Sequence, residues 1–447
     1  MADIVILGAG LTGLSTAYHL EQQGFYDYKL FEKDVTVGGL CRSIQQDGFT
    51  FDYTGHLLHV NNTYFKELLE KIVGLNHFNT IFRRSFVYSQ DKYTLYPFQV
   101  NLYGLPTNTI VECIEGFLSK PKTKVDPKNF YQWVMQNFGA GLGKHFFFTY
   151  QEKIFSYDIK KLSATWTGRF VPNTTLTDLI KGAISDRSHE TFGYNAQFFY
   201  PKHGGIQSWV TKLAATLENK IYTHFCVQSV DLKNKRVTFT NGHSESYNTL
   251  ISTIPLDILL KNSKEADNTT LKRAASKLLC NSVLNFNLGI NREQLSNKHW
   301  IYYPETKYPF YRIGFPHNFS DFMAPPGCSS LYGEFSYLNQ PSSQVSSMLE
   351  QALASTKNLF SITDQEIISQ KIIDIKYAYV IYNAWRDKHV PVILKLLLDS
   401  YGVHSIGRYG AWKYSSMQEA VLDGKAVAEK VATYSIPYTT HYQQVRL

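Results

Sequence analysis

The sequence reads as α/β, with a nucleotide-binding domain that other folding units interrupt, and three observations carry that reading. First, the apolar run Ile4-Val5-Ile6-Leu7 breaks into Gly8-Ala9-Gly10-Leu11-Thr12-Gly13 and then resumes at helical spacing, which is strand, tight turn and helix. Second, Lys29-Leu30-Phe31 forms a strand ending in Glu32, at the distance where a carboxylate accepts from an adenosine ribose hydroxyl. Third, a further glycine turn, Gly38-Gly39-Leu40-Cys41-Arg42-Ser43, follows at once; nicotinamide folds do not need one, whereas flavin-binding folds commonly have it. Gly8 allows the first turn, Gly10 lets backbone amides approach a diphosphate, and Gly13 lets the helix pack on the strand with its positive end towards the anion. The reading is a Rossmann-type FAD-binding domain, set against NAD binding or a purely structural turn.

Beyond this unit Phe49-Thr50-Phe51-Asp52 alternates as a strand and leads to a Gly55-His56 turn, where strands point into a cofactor crevice. Residues 85–88 and 93–96, joined by Ser89-Gln90-Asp91-Lys92, predict a hairpin. From about residue 105 to 181 the pattern turns helical: Ile110-Val111, Ile114 and Phe117-Leu118 recur at three and four, as do Phe130, Val134 and Phe138. That predicts a helical insertion, a lid or a partner surface. Another helix opens after Tyr200-Pro201-Lys202-His203-Gly204-Gly205-Ile206, and residues 235–240 and 249–253 return the chain to the first sheet, so the cofactor domain is discontinuous. Strand-like residues 283–288, 301–303, 310–314 and 329–335 predict an antiparallel sheet forming a second, substrate domain. Finally, residues 405–410 form a strand running into a helix over 414–434, whose N-terminus faces the cofactor. The expected division is 1–100, 200–280 and 370–447 for the FAD-binding domain, 101–199 for the helical insertion and 281–369 for the antiparallel sheet.

Composition removes several classes. The chain has 447 residues, 44% of them apolar, enough for two or three lobes. No run approaches the roughly 18 consecutive apolar residues of a membrane span. The start at Met1-Ala2-Asp3 leads straight into a strand without a signal-like region, so a soluble, cytoplasmic protein is expected. Cys41, Cys113, Cys226, Cys280 and Cys328 lie far apart in no ligand spacing, which reads as reduced thiols and neither a disulfide framework nor a metal site. His56-Leu57-Leu58-His59 has no further ligands nearby and is not read as metal-binding. The net charge of +8 comes from dispersed Lys and Arg, which argues against a nucleic-acid partner. The unusual feature is 31 Tyr and 29 Phe, more than packing requires; a tyrosine offers both a face and a hydroxyl to a polar ligand.

Taken together, Tyr53-Thr54-Gly55-His56, Tyr96-Pro97-Phe98-Gln99, Trp166-Thr167-Gly168-Arg169, Trp300-Ile301-Tyr302-Tyr303-Pro304-Glu305, Pro309-Phe310-Tyr311-Arg312 and Gly407-Arg408-Tyr409-Gly410-Ala411-Trp412-Lys413-Tyr414 resemble the flavoprotein UDP-galactopyranose mutases. Those belong to the wider amine oxidase and protoporphyrinogen oxidase superfamily, and the likeness covers nearly the whole chain. The glycine-rich start and the block at 407–414 occur across that superfamily and indicate FAD. The block at 300–312 is sharper, since it resembles the eukaryotic-type segment that supplies a tyrosine and an arginine to the substrate diphosphate. The resemblance implies an isomerase that contracts a pyranose to a furanose, with reduced flavin N5 as nucleophile at the anomeric carbon of a nucleotide-diphosphate sugar. NAD(P)H or another reductant would activate it, and its product, galactofuranose, would serve cell-surface polysaccharide. The FAD is expected to be non-covalent, because no cysteine lies in a flavin-linking context.

By the same resemblance Arg169 and Arg312 are the guanidiniums that hold the two phosphates, one from the insertion and one from the second sheet. Tyr302, Tyr379 and Tyr414 supply hydroxyls, and Arg83, Gln99, Gln151 and Trp166 complete the substrate set. His56, near the flavin N5 edge, joins Arg169 and Arg312 as catalytic. The implied cofactor set is Gly8, Gly10, Leu11, Thr12, Gly13, Glu32, Lys33, Gly39, Leu40, His56, Val227, Gly407, Arg408 and Met417, with Arg83 or Arg84 over the isoalloxazine. Plainer readings stand beside these: an arginine stacked on a surface tryptophan, core tyrosines, a structural histidine. The chain departs from the family at Val100-Asn101, where two asparagines are common, at Gln151, in place of a ligand-contacting asparagine, and at Gln418 near the last helix. The sugar and nucleotide therefore stay open, as does whether the chain forms a homo-oligomer. The alternative function is an FAD-dependent oxidase or desaturase, which takes a hydride from its substrate.

Overall fold

The computed structural model describes residues 2–123, 125–168, 170–185, 196–264 and 269–435. Ile4, Val5, Ile6 and Leu7 are all fully buried, because Ala2–Leu7 lies between two parallel strands, Tyr28–Phe31 and Ser244–Ser252, and is covered on both faces. An uninterrupted apolar run is what such a strand requires. Ile221–Tyr222 and Val403–Ser405 extend the parallel region. Ser244–Ser252 changes partners along its length: its first half pairs antiparallel with Arg236–Phe239, its second half in parallel with Ala2–Leu7. This eight-stranded sheet thus draws on segments far apart in the chain, as the discontinuous reading required.

The helix Leu11–Glu21 is buried along its whole length, because it is sandwiched between that sheet and the last helix, Met417–Ser435. Ser15 Oγ donates to the Val421 carbonyl at 2.7 Å across the contact. The last helix begins three residues later than the sequence pattern suggested. Ser416 and Glu419 form a capping box that sets this start, Ser416 N donating to Glu419 Oε2 at 2.7 Å and Glu419 N to Ser416 Oγ at 3.3 Å.

The second sheet has seven strands, in the order Ile367–Ile375, Ser282–Ile290, Ser329–Tyr337, Arg312–Gly314, Trp300–Tyr302, Ser85–Ser89, Lys92–Leu95. Every junction is antiparallel except that between Trp300–Tyr302 and Ser85–Ser89, which is parallel. The sheet therefore reaches outside residues 281–369: the predicted hairpin exists, but it and Ile367–Ile375 belong here and not to the cofactor sheet. One face is apolar, with Phe286, Ile301, Ile313 and Phe335 packed under the helix Ser342–Phe360. The other face turns to the first sheet and the insertion.

The insertion contains Thr107–Leu118, Phe130–Asn137, Phe148–Phe155 and Leu176–Ile184, with a turn of π-helix at Gly143–Phe147. Phe130, Val134 and Phe138 are fully buried, as their spacing predicted. In Thr107–Leu118 the buried residues are Thr109, Cys113 and Phe117, whereas Val111 and Leu118 face solvent. The apolar stripe there is wider than the face that packs.

Candidate active site between the two sheets

The first wall is made of backbone. The two glycine turns run side by side, Gly38 N donating to the Ala9 carbonyl at 2.8 Å and Gly10 bridging to Gly38. A Cβ on Gly13 would land on the Gly8 carbonyl oxygen, so only glycine allows the helix to start this close to the strand. Gly10 differs: a Cβ there would meet only Gly39 Cα, at 3.8 Å. The protein itself leaves that space open. Glu32 braces the turn, its two carboxylate oxygens accepting from Ala9 N at 2.8 Å and Asp34 N at 3.0 Å.

The remaining expected cofactor residues divide. Leu11 and Thr12 open the first helix, and Gly407 lies against Thr12, which a Cβ on Gly407 would strike at 2.7 Å from Oγ1. Gly39 touches Gly10, and Met417 opens the last helix in the core. Leu40, like Ile44, Tyr53 and Tyr379, packs against the cluster of Val283, Ile373, Ile375 and Ala378 at the edge of the second sheet. Lys33 extends into solvent beside Asp34, 3.0 Å away, so its ammonium does not line this wall. Val227 starts the strand Val227–Asp231, and its carbonyl accepts from Asn262 at 3.2 Å.

Arg408 stands where the walls meet. Its Nη1 and Nη2 donate to the carbonyls of Ser415 at 2.9 Å and Ala378 at 3.0 Å, and its guanidinium lies 4.9 Å from the Tyr414 ring centre and 5.6 Å from that of Tyr379. Its Nε is buried and has no hydrogen-bond partner among the described residues. A buried unpaired cationic donor beside an open glycine cradle is the arrangement an anionic dinucleotide would complete, so these residues fit FAD.

His56 sits in the field of two guanidiniums. Burial, then Arg408, then Arg312, push its pKa down to about 4, which favours the uncharged ring at neutral pH. The turn that carries it is strained: Thr54 adopts a φ of 71°, and its Oγ1 lies 3.4 Å from His56 Nδ1.

The second wall is made of side chains in strand register. Asn285 pairs with Glu334, Glu334 with Arg312, and Arg312 with Tyr302, giving a polar row across four strands. Directly paired residues share a face, so these side chains all project towards the first wall. Arg312 donates to Glu334 twice, Nε at 2.9 Å and Nη2 at 2.8 Å. Burial is the largest influence and disfavours the Arg312 charge, but Glu334, with Tyr332, Tyr379 and Tyr311 after it, together outweighs burial and raises the guanidinium pKa well above its usual value. The next row holds Tyr332 opposite Gly314. A Cβ on Gly314 would fall inside the Tyr332 ring and one on Gly55 would meet the Tyr332 hydroxyl, so two glycines let this ring lie flat beneath the His56 turn.

The insertion and adjoining loops close the space. Tyr302 packs against Tyr96 and Tyr150 with ring centres 4.7 and 5.4 Å apart, and Arg83 lies 5.1 Å from the centre of Tyr96. Arg83 Nη2 donates to the Tyr96 carbonyl at 3.1 Å, and Arg84 N to His299 Nδ1 at 2.8 Å. Tyr379 and Tyr414 stack at 6.3 Å, and Trp166 packs between Phe155 and Tyr414. Here Gln151 Oε1 and Trp166 Nε1 are among the buried polar atoms that have no partner among the described residues. Burial raises the pKa of Tyr302, and raises that of Tyr379 to about 12, with Arg312 opposing in both cases; their hydroxyls stay protonated and able to donate.

Other expected residues have structural work. Gln99 Nε2 donates to the Pro172 carbonyl at 2.8 Å, Asn101 Nδ2 to the Pro97 carbonyl at 3.0 Å, and Gln418 Oε1 accepts from Asn61 N and Asn62 N at 2.8 and 2.9 Å. The departures at Asn101 and Gln418 are thus tied up in bonds to the chain's own backbone. Arg169 lies outside the described residues. Two residues were missed. Asn281 takes the Tyr379 amide on Oδ1 at 2.9 Å and reaches the Ile154 carbonyl with Nδ2 at 2.7 Å, holding Tyr379 to the insertion. Glu334 had a signal: it is the one charged residue in the strand Ser329–Tyr337, all of which is buried.

The sequence matches the family described as flavin containing amine oxidoreductase over residues 11–432. Among solved structures, a reduced UDP-galactopyranose mutase superposes with a TM-score of 0.90 at 27% identity, over 97% of this chain and 94% of that one. Among curated proteins, a 4,4'-diapophytoene desaturase of Staphylococcus aureus is 34% identical over 90 residues, 20% of this chain and 17% of its own. A zeta-carotene-forming phytoene desaturase of Myxococcus xanthus is 51% identical over 49 residues, 11% of this chain and 9% of its own. The chain thus spans less than a fifth of the length of the curated relatives it matches.

Proposed function

The chain belongs to the flavin containing amine oxidoreductase family, whose cofactor is FAD, and from that premise we propose that it is a nucleotide-sugar mutase interconverting pyranose and furanose forms of a UDP-galactose-like substrate. The observation that carries this reading is the pair of guanidiniums, Arg312 and Arg408, acting on an uncharged His56 inside a tyrosine-lined space. Such a site suits a diphosphate, to which Arg312 offers a fork and Arg408 a positive charge; the Arg408 charge disfavours an amine cation and would be left unsatisfied against a hydrocarbon. Bound non-covalently and reduced, FAD supplies a nucleophilic nitrogen for the anomeric carbon. The chain does the rest. Gly10, Gly39, Glu32 and Arg408 hold the cofactor, and Arg312 with Arg169 takes the diphosphate. The protonated hydroxyls of Tyr302 and Tyr379, with that of Tyr414, donate to the leaving phosphate, where charge builds. Gln151 Oε1 and Trp166 Nε1 are the partners offered to the sugar nucleotide. His56, uncharged, exchanges hydrogen bonds at the cofactor edge without adding a third positive charge.

The division of labour proposed is cofactor on the first sheet, substrate on the second, with the insertion closing over both. Five free cysteines suit a reducing, cytoplasmic setting, and galactofuranose for cell-surface polysaccharide is the proposed use of the product. A second reading, hydride abstraction from an apolar substrate, draws on the desaturase relatives and the aromatic walls. One experiment separates the two: reduce the flavoprotein anaerobically, add UDP and then UDP-galactose, and follow the flavin spectrum and the sugar ring form. A spectral change with UDP and isomerisation without net use of reductant support the mutase. Oxygen or acceptor consumption matching product one for one supports the desaturase or oxidase.

A further inference from the structure

Glu334 is fully buried, and three donors face its carboxylate: Arg312 Nε at 2.9 Å, Arg312 Nη2 at 2.8 Å and the Gly55 amide at 3.3 Å. Replacing a buried ion pair by apolar residues is often neutral or stabilising, so a pair at the centre of this site asks for a reason other than stability. The bonds suggest one. A guanidinium has two forked edges, and Glu334 occupies the Nε–Nη2 edge. The Nη1–Nη2 edge remains, with geometry equally suited to two phosphate oxygens. Turning Arg312 about its Cδ–Nε bond would break both bonds to Glu334, so the carboxylate decides which edge is offered. The same carboxylate reaches Gly55, the neighbour of His56, across from the cofactor wall. Tyr332, two residues earlier on the same strand face, presses on Gly55 and Gly314.

We propose that Glu334 is a positioning residue that holds Arg312 with its Nη1–Nη2 edge towards the substrate diphosphate and keys that arginine to the Gly55-His56 turn. The proposal rests on the mutase reading of the site. It has a consequence for charge. Arg312 and Glu334 together are neutral, so Arg312 contributes orientation more than net charge, and the positive balance falls to Arg408, whose described hydrogen-bond partners are carbonyls. Removing the Glu334 charge therefore makes the site more positive while it frees the guanidinium. Those effects move different observables: anion affinity holds or rises, and turnover falls.

The test compares the wild type with Glu334→Gln, Glu334→Asp, Arg312→Lys and the double variant Arg312→Lys/Glu334→Gln, all full length, flavin-loaded and reduced. UDP binding is titrated by flavin fluorescence, and kcat and KM are measured with UDP-galactose. Glu334→Gln is expected to keep its flavin, to bind UDP within ~10-fold of wild type or tighter, and to lose kcat by ~100-fold. In the Arg312→Lys background the same change should cost less than ~5-fold, because the edge that Glu334 guards is already gone. Additive losses, a loss confined to UDP affinity, or an unchanged kcat would overturn the proposal. Should the Gln variant fail to load flavin, Glu334→Asp carries the comparison, since it keeps the charge and shortens the reach; a wild-type kcat there is also fatal. A wild type that binds no UDP overturns the mutase reading and this proposal with it. A wild type that binds and isomerises, beside a normal Glu334→Gln, overturns the proposal alone.

Discussion

The glycine wall on the first sheet and the polar row on the second are built in opposite ways. The glycine wall is mostly backbone: residues 8–13 and 38–40 lie close in the chain and act through amides, carbonyls and missing Cβ atoms, with the Glu32 carboxylate as their brace. The polar row is side chains, contributed one each by Asn285, Tyr302, Arg312 and Glu334 and aligned only by strand register. A local backbone site tolerates almost nothing at its glycines and is indifferent to distant changes. A registered site tolerates conservative changes one at a time, but a one-residue slip of Ser329–Tyr337 would send Glu334 to the apolar face and remove the row at once.

The largest effect expected lies in the glycine wall, where Gly13 and Gly10 should part company. Gly13→Val drives a side chain into the Gly8 carbonyl and should yield no soluble flavoprotein. Gly10→Ala has room within the chain and should fold, shown by a native circular dichroism spectrum, yet come away pale, because the methyl points where the diphosphate must approach. Yellow Gly10→Ala protein with normal flavin content would remove the basis for placing the diphosphate there.

Arg312→Lys breaks the polar row without touching the glycine wall. It keeps the charge and loses the fork, so kcat/KM should fall at least ~100-fold, about 2.7 kcal/mol, with flavin content unchanged. Flavin loss in this variant would mean that the two walls are not separable.

Acid should act on both walls, more gently. His56, His59, His299 and His404 are each held down to about 4, burial being the main cause, against an ordinary value near 6.5. Between those values the unfolded chain binds more protons than the folded one, so stability falls as pH drops from about 6.5 towards 4. Asp52, raised by burial to about 6, opposes this, because its folded form takes up the proton first. His19 and His317, also lowered by burial, add to the fall, and Glu152, Asp257 and Asp423, raised by burial, subtract from it. With six histidines against four carboxyls, the melting temperature should decline through that window and stay flat for these groups between pH 7 and 9. A melting temperature that rises on acidification would reverse the assignment. The smallest effect belongs outside both walls: Leu118→Glu, on the solvent side of its helix, should change stability by less than about 0.5 kcal/mol and leave flavin and turnover alone, as thermal melts and assays would show.

What could be read from the chain and what could not follows the same division. Gly8, Gly10, Gly13 and Glu32 announced a nucleotide-binding strand, turn and helix because backbone geometry that demands glycine leaves its mark within a few consecutive residues. The block from Trp300 to Arg312 suggested by resemblance an arginine for phosphate, a role that stays a proposal, and nothing in it said that Glu334 would hold one edge of that guanidinium. Ser85–Ser89 read correctly as half of a hairpin, but its place beside Trp300–Tyr302, more than two hundred residues away, was settled by which sheet edge the folded chain left open. Gln418 stood out only as a departure near the last helix, and nothing local said that its side chain would accept from the amides of Asn61 and Asn62. Local backbone demands and apolar periodicity are properties of neighbouring residues, and the sequence by itself determined them. Register, ion pairing and the neutrality of His56 depend on which distant groups share a buried volume, and only the tertiary structure decided those.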